Sequence, residues 1–140
     1  MEMPSELKAI EGAEKLYEWF GYWPRFHDAE VVSLHLNRRA PSSLIIHTWE
    51  MTNEVDKQGH YRSVKHVVVE FVIDGITALN INDFSVQNVI FGLSLEKKEA
   101  KFHLSLEPCY GLAGTLEAED IAILLSPGKP SDSRLPEQSS

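Results

Sequence analysis

The sequence predicts an α+β domain: a mostly antiparallel sheet of about six or seven strands with one N-terminal helix packed on it. Apolar residues recur at helical spacing between residues 12 and 20. From residue 32 onward they alternate with polar residues, as in strands with one buried face. Gly, Pro, Asn and Asp separate the alternating runs, which favours hairpins between neighbouring strands. The pattern leaves open whether the sheet is open or barrel-like.

The helix is predicted over residues 12–20. Four of its residues share one apolar face: Ala13, Leu16, Tyr17 and Phe20. Gly21 occupies the position at which helices commonly end, and Pro24 prevents continuation. An aromatic connector therefore follows, over residues 22–29. We expect the rings of Trp19, Phe20 and Phe26 to be buried in the core. We expect those of Tyr22 and Trp23 to be exposed.

The first half of the sheet is predicted from alternation and turn residues. Val32, Leu34 and Leu36 share one face of the first strand. The predicted order is strand 32–36, turn 38–43, strand 44–51, hairpin loop 53–61 and strand 66–73.

The second half begins with a turn at Asp74-Gly75, followed by a strand with Leu79 and Ile81 pointing inward. A hairpin comes next, in which the apolar row Val89, Phe91, Leu93 and Leu95 leads through the charged tip 97–100 to Phe102, Leu104 and Leu106. Residues 115–125 have good helical propensity, but their neighbours are strands, so we predict a strand with a bulge near Glu119-Asp120.

The chain has the length and composition of one domain, with 140 residues, 43% of them hydrophobic and 24% charged. We expect residues 1–11 to be a partly ordered lead-in and residues 12–126 to be a single α+β domain. The Pro- and Ser-rich residues 127–140 have almost nothing apolar and are predicted to be a flexible tail. The oligomeric state is left open.

Charge and cysteine content restrict the partners and the compartment. A net charge of -8 repels nucleic acid and anionic membranes, and it would steer a basic protein partner toward the surface. Cys109 is the single cysteine, so a reducing compartment fits best. The N-terminus is too polar for a signal peptide, and no run approaches a membrane span, so we expect a cytoplasmic protein.

The most concentrated chemistry lies in the connector, where His27, Asp28 and Glu30 could supply metal ligands. A distant histidine such as His47 or His103 would complete the shell. The simpler reading is that Asp28 fixes a turn and His27 bonds the backbone, and we favour it because no further spaced ligands are present. Cys109 and the serines lack a nucleophile context, so we predict no catalytic residue, no cofactor and no metal.

We predict partner contacts at polar or aromatic residues of the connector and at a second polar cluster. The candidates are Tyr22, Trp23, His27, Asp28, Glu30, Asn82 and Asp83. The second cluster also fits turn chemistry at a strand end.

Residues 20–31, FGYWPRFHDAEV, resemble the polymorphic-toxin immunity proteins of bacteria, specifically the type 50 family. Further landmarks agree: Asp83-Phe84, Gln87-Asn88-Val89, Tyr110-Gly111-Leu112 with Gly114, and Pro127-Gly128-Lys129-Pro130. The resemblance spans most of residues 12–130 and implies a protein that binds and neutralises a cognate toxin without performing chemistry. The motifs do not identify the toxin-contacting residues.

Two other hypotheses remain at this point. One is a metal-dependent hydrolase that uses His27, Asp28 and Glu30. The other is a structural subunit, which would need a large apolar patch on its free surface.

Overall fold

The computed structural model describes residues 5–55, 57–59 and 61–130, without the side chains of 51–53 and 61–63. Residues 1–4 of the predicted lead-in and 131–140 of the predicted tail lie outside this part. The described elements are a 3₁₀ helix Ser5–Leu7, the helix α1 Ala13–Phe20, and the strands β1 Glu30–His35, β2 Ser42–Val55, β3 Tyr61–Asn82, β4 Val89–Lys98, β5 Lys101–Tyr110 and β6 Ala113–Pro127.

The strands form one antiparallel sheet that closes into a barrel in the order β1-β2-β3-β6-β5-β4. The predicted fold class is confirmed, and the sheet takes the barrel-like form. Strands β3 and β4 lie on opposite sides of this ring. The chain between them, residues 83–88, therefore crosses one end of the barrel.

Strand β3 does not turn at Asp74-Gly75, so the predicted hairpin there is wrong. It continues for 22 residues and pairs with β6 from Val67↔Pro127 to Asn82↔Ala113. Gly75 has a positive φ of 71°, but the strand does not reverse there, because β6 is long enough to pair with β3 on both sides of the glycine, at Asp74↔Asp120 and Ile76↔Ala118.

The positions that face the core change parity along β3 and β6 near Gly75. Ala118 and Ile121 are both buried although they are three residues apart, so the inward-facing positions change parity between them. The pairing with β3 does not shift at the predicted bulge, Glu119-Asp120, but close to it, between Ile76 and Ala78 of β3. Leu79 beyond the shift is 42% exposed, so its predicted inward position is wrong.

The first strand is also irregular, because its register shifts between Val31 and Ser33. Val31 takes the buried position, and Leu34 packs partly against the core. Leu36 lies beyond the strand and is exposed, so the predicted common face of Val32, Leu34 and Leu36 does not hold.

The barrel interior and the N-terminal segment form one core. Five apolar residues of that segment are buried in it: Leu7, Ile10, Ala13, Leu16 and Phe20. The backbone ahead of α1 is bonded to β6, since Ile123 N–H donates to the Glu11 carbonyl at 2.7 Å. Gly12 makes this approach possible, because a Cβ there would overlap the Ile123 carbonyl oxygen.

We predict that Gly12→Ala destabilises the protein more than Gly21→Ala. Both glycines have left-handed backbones, with φ of 89° and 84°, so each alanine should cost about 1–2 kcal/mol in backbone strain. Nothing lies near a Cβ at Gly21, whereas the clash at Gly12 should add roughly 1–3 kcal/mol. Urea unfolding of both variants measures the difference, and equal losses would contradict the close helix-to-strand contact.

Candidate functional site

The connector closes the barrel by continuing β1 along β4. The two strands pair at Glu30↔Val89. The Val31 N–H donates to the Asn88 carbonyl at 2.8 Å, and the Asp28 N–H donates to the Ile90 carbonyl at 2.9 Å. The Ile90 N–H returns a bond to the Ala29 carbonyl at 2.9 Å, and the Leu93 N–H donates to the Arg25 carbonyl at 3.2 Å. The connector is thus part of the sheet's hydrogen bonding.

Two connector residues have left-handed backbones, Phe26 with φ 62° and Asp28 with φ 65°. This conformation is unusual for a bulky residue such as Phe26 and costs on the order of 1–2 kcal/mol. Burial offsets the cost, because the Phe26 ring packs edge-on against Phe71 in the core, with centroids 5.9 Å apart. The Ala29 N–H closes the turn on the Phe26 carbonyl at 3.1 Å.

The turn leaves a polar pair on the surface. His27 Nδ1 lies 3.2 Å from Asp28 Oδ2, and both side chains are 56% exposed. The predicted turn is therefore present. Its hydrogen bond joins two backbone groups, whereas the side chains of His27 and Asp28 contact each other rather than the backbone. Glu30, the third residue of the hypothetical metal site, lies on β1 opposite His47 and Val89.

Phe91 stands beside this pair. Its ring meets the His27 ring edge-on, with centroids 5.0 Å apart, and its side chain is 53% exposed. Its predicted place in an inward apolar row is wrong, because register shifts on both sides of Ile90 turn Ile90 inward and Phe91 outward. Gly92 was the available signal, since a glycine inside a strand often marks a bulge.

Two open grooves flank Trp23, Pro24 and Arg25, each of about 370 Å³. The first lies between the connector and the middle of β2, and its lining includes Tyr22, Asp28, Trp49 and Glu50. The second lies between the connector and β4, and its lining includes Arg25, His27, Phe91 and Glu107. Trp23 is only 8% exposed, so its predicted exposure is wrong: the ring is a buried wall of both grooves.

Tyr22 fixes the wall of the first groove. Its hydroxyl donates to Glu50 Oε1 at 3.1 Å, and Lys65 Nζ lies 3.8 Å from the same oxygen. Partial burial raises the pKa of the Tyr22 hydroxyl, and the hydrogen bond and charge of Glu50 raise it further. The ring therefore remains a neutral donor, half-buried rather than fully exposed as predicted.

Asn82 and Asp83 belong to another part of the surface. They stand where β3 ends, and neither lines the two grooves. The loop that they begin is held by buried Asn88, whose Oδ1 accepts the Ser85 and Leu112 N–H groups at 2.9 Å each. The structure therefore places Tyr22, Trp23, His27 and Asp28 along the two grooves, and Glu30 at the start of β1. Asn82 and Asp83 lie at the barrel end.

Within the described ranges, no group of three or more His, Cys, Asp or Glu side chains is placed to hold a metal ion. His27, Asp28 and Glu30 do not converge. Of the two histidines considered as a fourth ligand, His47 bonds His66, and His103 Nε2 lies 3.6 Å from Glu117. Among the helices described, none is long and apolar enough to cross a membrane.

The rings of His47, Trp49 and His66 form an aromatic cluster, and Trp49 also lines the first groove. His47 Nε2 and His66 Nδ1 are 3.0 Å apart, and the groove residue Trp49 stacks on His66 at 5.7 Å. His47 is only 4% exposed. Burial lowers the pKa of His47 to about 4, and nearby His66 and Lys129 contribute to the shift. Burial also lowers the pKa of His66, followed by the charge of Lys129.

We predict an acid-dependent loss of stability from this cluster. Above pH 6.5 His47 is neutral in both states, so it adds no pH dependence. Below pH 6.5 His47 becomes protonated in the unfolded chain, whereas in the folded protein it stays neutral down to pH about 4. The free energy of unfolding should therefore fall by up to about 3 kcal/mol over this range.

Urea unfolding between pH 7 and pH 4 measures this slope. His47→Gln should flatten it, while the matched variant His35→Gln, at an exposed strand end, should not. Identical slopes for the parent and His47→Gln would contradict the assignment.

Comparison with known proteins places the chain in a family. The family model for immunity protein 50 matches residues 12–125, which include the connector, both grooves and the whole barrel except its outermost residues. The comparisons with curated proteins and with solved structures found no match. Because the family model covers most of the sequence, the resemblance carried by residues 20–31 is confirmed, and this chain belongs to the Immunity protein 50 family.

Proposed function

We propose that this protein neutralises a cognate bacterial toxin by binding it directly, and that it acts in the cytoplasm of the cell it protects. The observation that carries the proposal is the family match over residues 12–125. Immunity proteins are generally non-enzymatic, which agrees with a mode of action by occlusion. The net charge of -8 also suits a basic partner.

The connector supplies a surface suited to such binding. Its backbone is fixed by hydrogen bonds to β4, and buried Phe26 anchors the turn that presents His27 and Asp28. A surface that is rigid before binding loses little conformational entropy on association, and this favours affinity. We therefore place the toxin contact at the connector, among Tyr22, Trp23, His27, Asp28 and Glu30.

Asn82 and Asp83 would belong to a second, smaller contact. The loop they begin exposes Phe84 and Val86 at the barrel end, and Asn88 holds its base. An extended partner would have to reach from the connector around this end to touch both regions.

Co-expression with a candidate toxin tests the proposal, and a secreted multidomain toxin encoded next to this gene would be the first candidate. Cells that produce the toxin should grow only when this chain is present. The two proteins should also co-elute, because neutralisation by occlusion requires a stable complex. Failure to protect, or protection without a complex, would contradict binding as the mechanism.

Titration of the purified toxin separates binding from catalysis. Toxin activity should fall linearly with added chain and reach its minimum near equimolar amounts, since each bound chain silences one toxin. A toxin variant whose own active site has been inactivated serves as the control and should still bind. Complete neutralisation at a small fraction of equimolar chain would show that the chain is an enzyme that modifies its target.

A further inference from the structure

We propose that the toxin adds an extended segment of its own chain to a free edge of the sheet, along residues 75–82 of β3, and is held there by backbone hydrogen bonds. This inference rests on the proposed function and specifies how the partner is bound at the barrel end, where Asn82 and Asp83 lie. The occupant is a strand with apolar side chains at alternate positions and with lysine or arginine near its ends.

Strand β3 extends beyond its neighbour β2. The pairing of the two strands stops at Ser42↔Ile73, where β2 begins, and the next residues of β3 pair with β6. Within the described part of the chain, no backbone hydrogen bond reaches residues 75–82 from the side away from β6. Successive residues of a strand direct their N–H and C=O groups to opposite edges. This stretch therefore presents a row of unpaired backbone donors and acceptors, which only another extended chain can pair regularly.

The sequence of this edge lacks most of the features that protect free edges. Natural edge strands carry prolines or charged side chains, or are interrupted by bulges, and each of these hinders pairing with another chain. Residues 75–82, GITALNIN, contain no proline and no charged residue. Their one irregularity is the register shift between Ile76 and Ala78. From Ala78 to Asn82 the pairing with β6 is regular, so the opposite edge of these residues is a regular template for strand addition.

The side chains of this edge specify the alternation of the added segment. Leu79 pairs with buried Leu116, so both side chains project from the same face of the sheet. Leu116 is covered by the core, whereas Leu79, at the free edge, is 42% exposed. Ile81, two residues further on the same face, is only partly buried. An added strand with apolar residues at alternate positions would cover Leu79 and Ile81 and leave the polar face at Asn80 in solvent.

The two ends of the edge favour a different protein over a second copy of this chain. Asp74 and Asp83 flank the edge and are exposed, and Asp120 lies opposite Asp74. Antiparallel pairing of the whole edge with a second copy would place Asp74 of each copy opposite Asp83 of the other copy. Like charges directly opposite one another are destabilising, and a net charge of -8 on each copy adds to the repulsion. A toxin segment with lysine or arginine at these positions has complementary charge instead.

Hydrogen-deuterium exchange tests the backbone pairing directly. The probe is the toxin that this chain neutralises on co-expression, carrying an inactivated active site. In the free chain, outward-facing amides of residues 75–82 should exchange rapidly, because no acceptor protects them. In the complex their exchange should slow by about tenfold or more, since the added strand supplies the acceptors. The β4–β5 turn at Glu99-Ala100 is the internal control and should exchange equally fast with and without the toxin.

A leucine-to-lysine variant tests the apolar face of the same edge. Leu79→Lys places a charge where the added segment must pack, as natural edge strands do to prevent pairing, and it should weaken toxin binding by about tenfold or more. Leu124→Lys makes the same change at a 52% exposed site on β6 and should bind like the parent. Unchanged urea unfolding of both variants shows that differences in binding do not come from misfolding.

The charges at the two ends are tested by association rates at two salt concentrations. The double variant Asp74→Asn and Asp83→Asn should slow association about threefold at low salt, and added salt should reduce the difference. Asparagine keeps the left-handed backbone of Asp83, with φ of 62°, so the end of the strand is preserved. Faster association of the double variant would show that the toxin segment is acidic and that its assigned charge is wrong.

The outcomes distinguish strand addition from the proposed function. If the parent binds the toxin, exchange in residues 75–82 stays fast and Leu79→Lys binds equally well, strand addition is wrong while the proposed function stands. Strand addition by the toxin is also wrong if these amides are already protected in a dimer of the free chain, because the occupant is then a second copy. If the parent binds no toxin, both proposals fall.

Discussion

The hydrogen bonding between residues 25–31 and 88–93 is the contact on which the rest of the structure depends. Without it, the antiparallel sheet would have two free edges at β1 and β4, and free edges expose unpaired backbone groups. Strand β1 is short, so the connector must supply the remaining backbone partners for β4. The edges meet because the segment before β1 behaves as part of the sheet.

Closure constrains the local backbone and selects which side chains face outward. The left-handed conformations of Phe26 and Asp28 let the chain turn while its amides stay bonded to β4. Phe26 is thereby directed into the core, and His27 and Asp28 are left on the surface. On the facing strand, the shifts around Ile90 expose Phe91. A single structural requirement thus produces both the buried and the exposed halves of the site.

Local signals were sufficient to predict much of the fold. The helical spacing before Phe20, the charged tip at 97–100 and the alternation on either side of it identified α1 and the β4–β5 hairpin. Local signals were insufficient where tertiary pairing decides the outcome. Asp74-Gly75 has the composition of a turn, but its long partner β6 keeps β3 continuous. Phe91 was assigned the wrong face because a bulge, unlike regular alternation, depends on the neighbouring strand.

The candidate site shows the same division. The connector was recognisable from its density of rings and titratable groups, and the family resemblance rested on it. The separation of its residues into a buried wall, Trp23, and an exposed pair, His27 and Asp28, could not be deduced, because it depends on backbone angles and on the groove made by β4. Asn82 and Asp83 are candidates only because of their polar side chains. They lie at the end of β3, on the side of the barrel opposite β4, and therefore away from the connector.

The connector contributes to barrel closure and also to the proposed binding surface, so the choice of positions for mutagenesis matters. Truncation of Phe26 would remove the buried ring that anchors the turn and would disturb the surface at the same time, so loss of binding there would not identify a contact. Phe91 and Glu107 are different, because their side chains lie outside the core: Glu107 is exposed on β5 opposite Gly92, and Phe91 lies at the register shift between Ile90 and Gly92. Substitutions of these two side chains should therefore disturb the core less than a substitution of Phe26. If the toxin docks at the connector, exposed side chains of the connector and of β4 are available for contact, while the backbone bonds between the two segments hold them in one fixed arrangement.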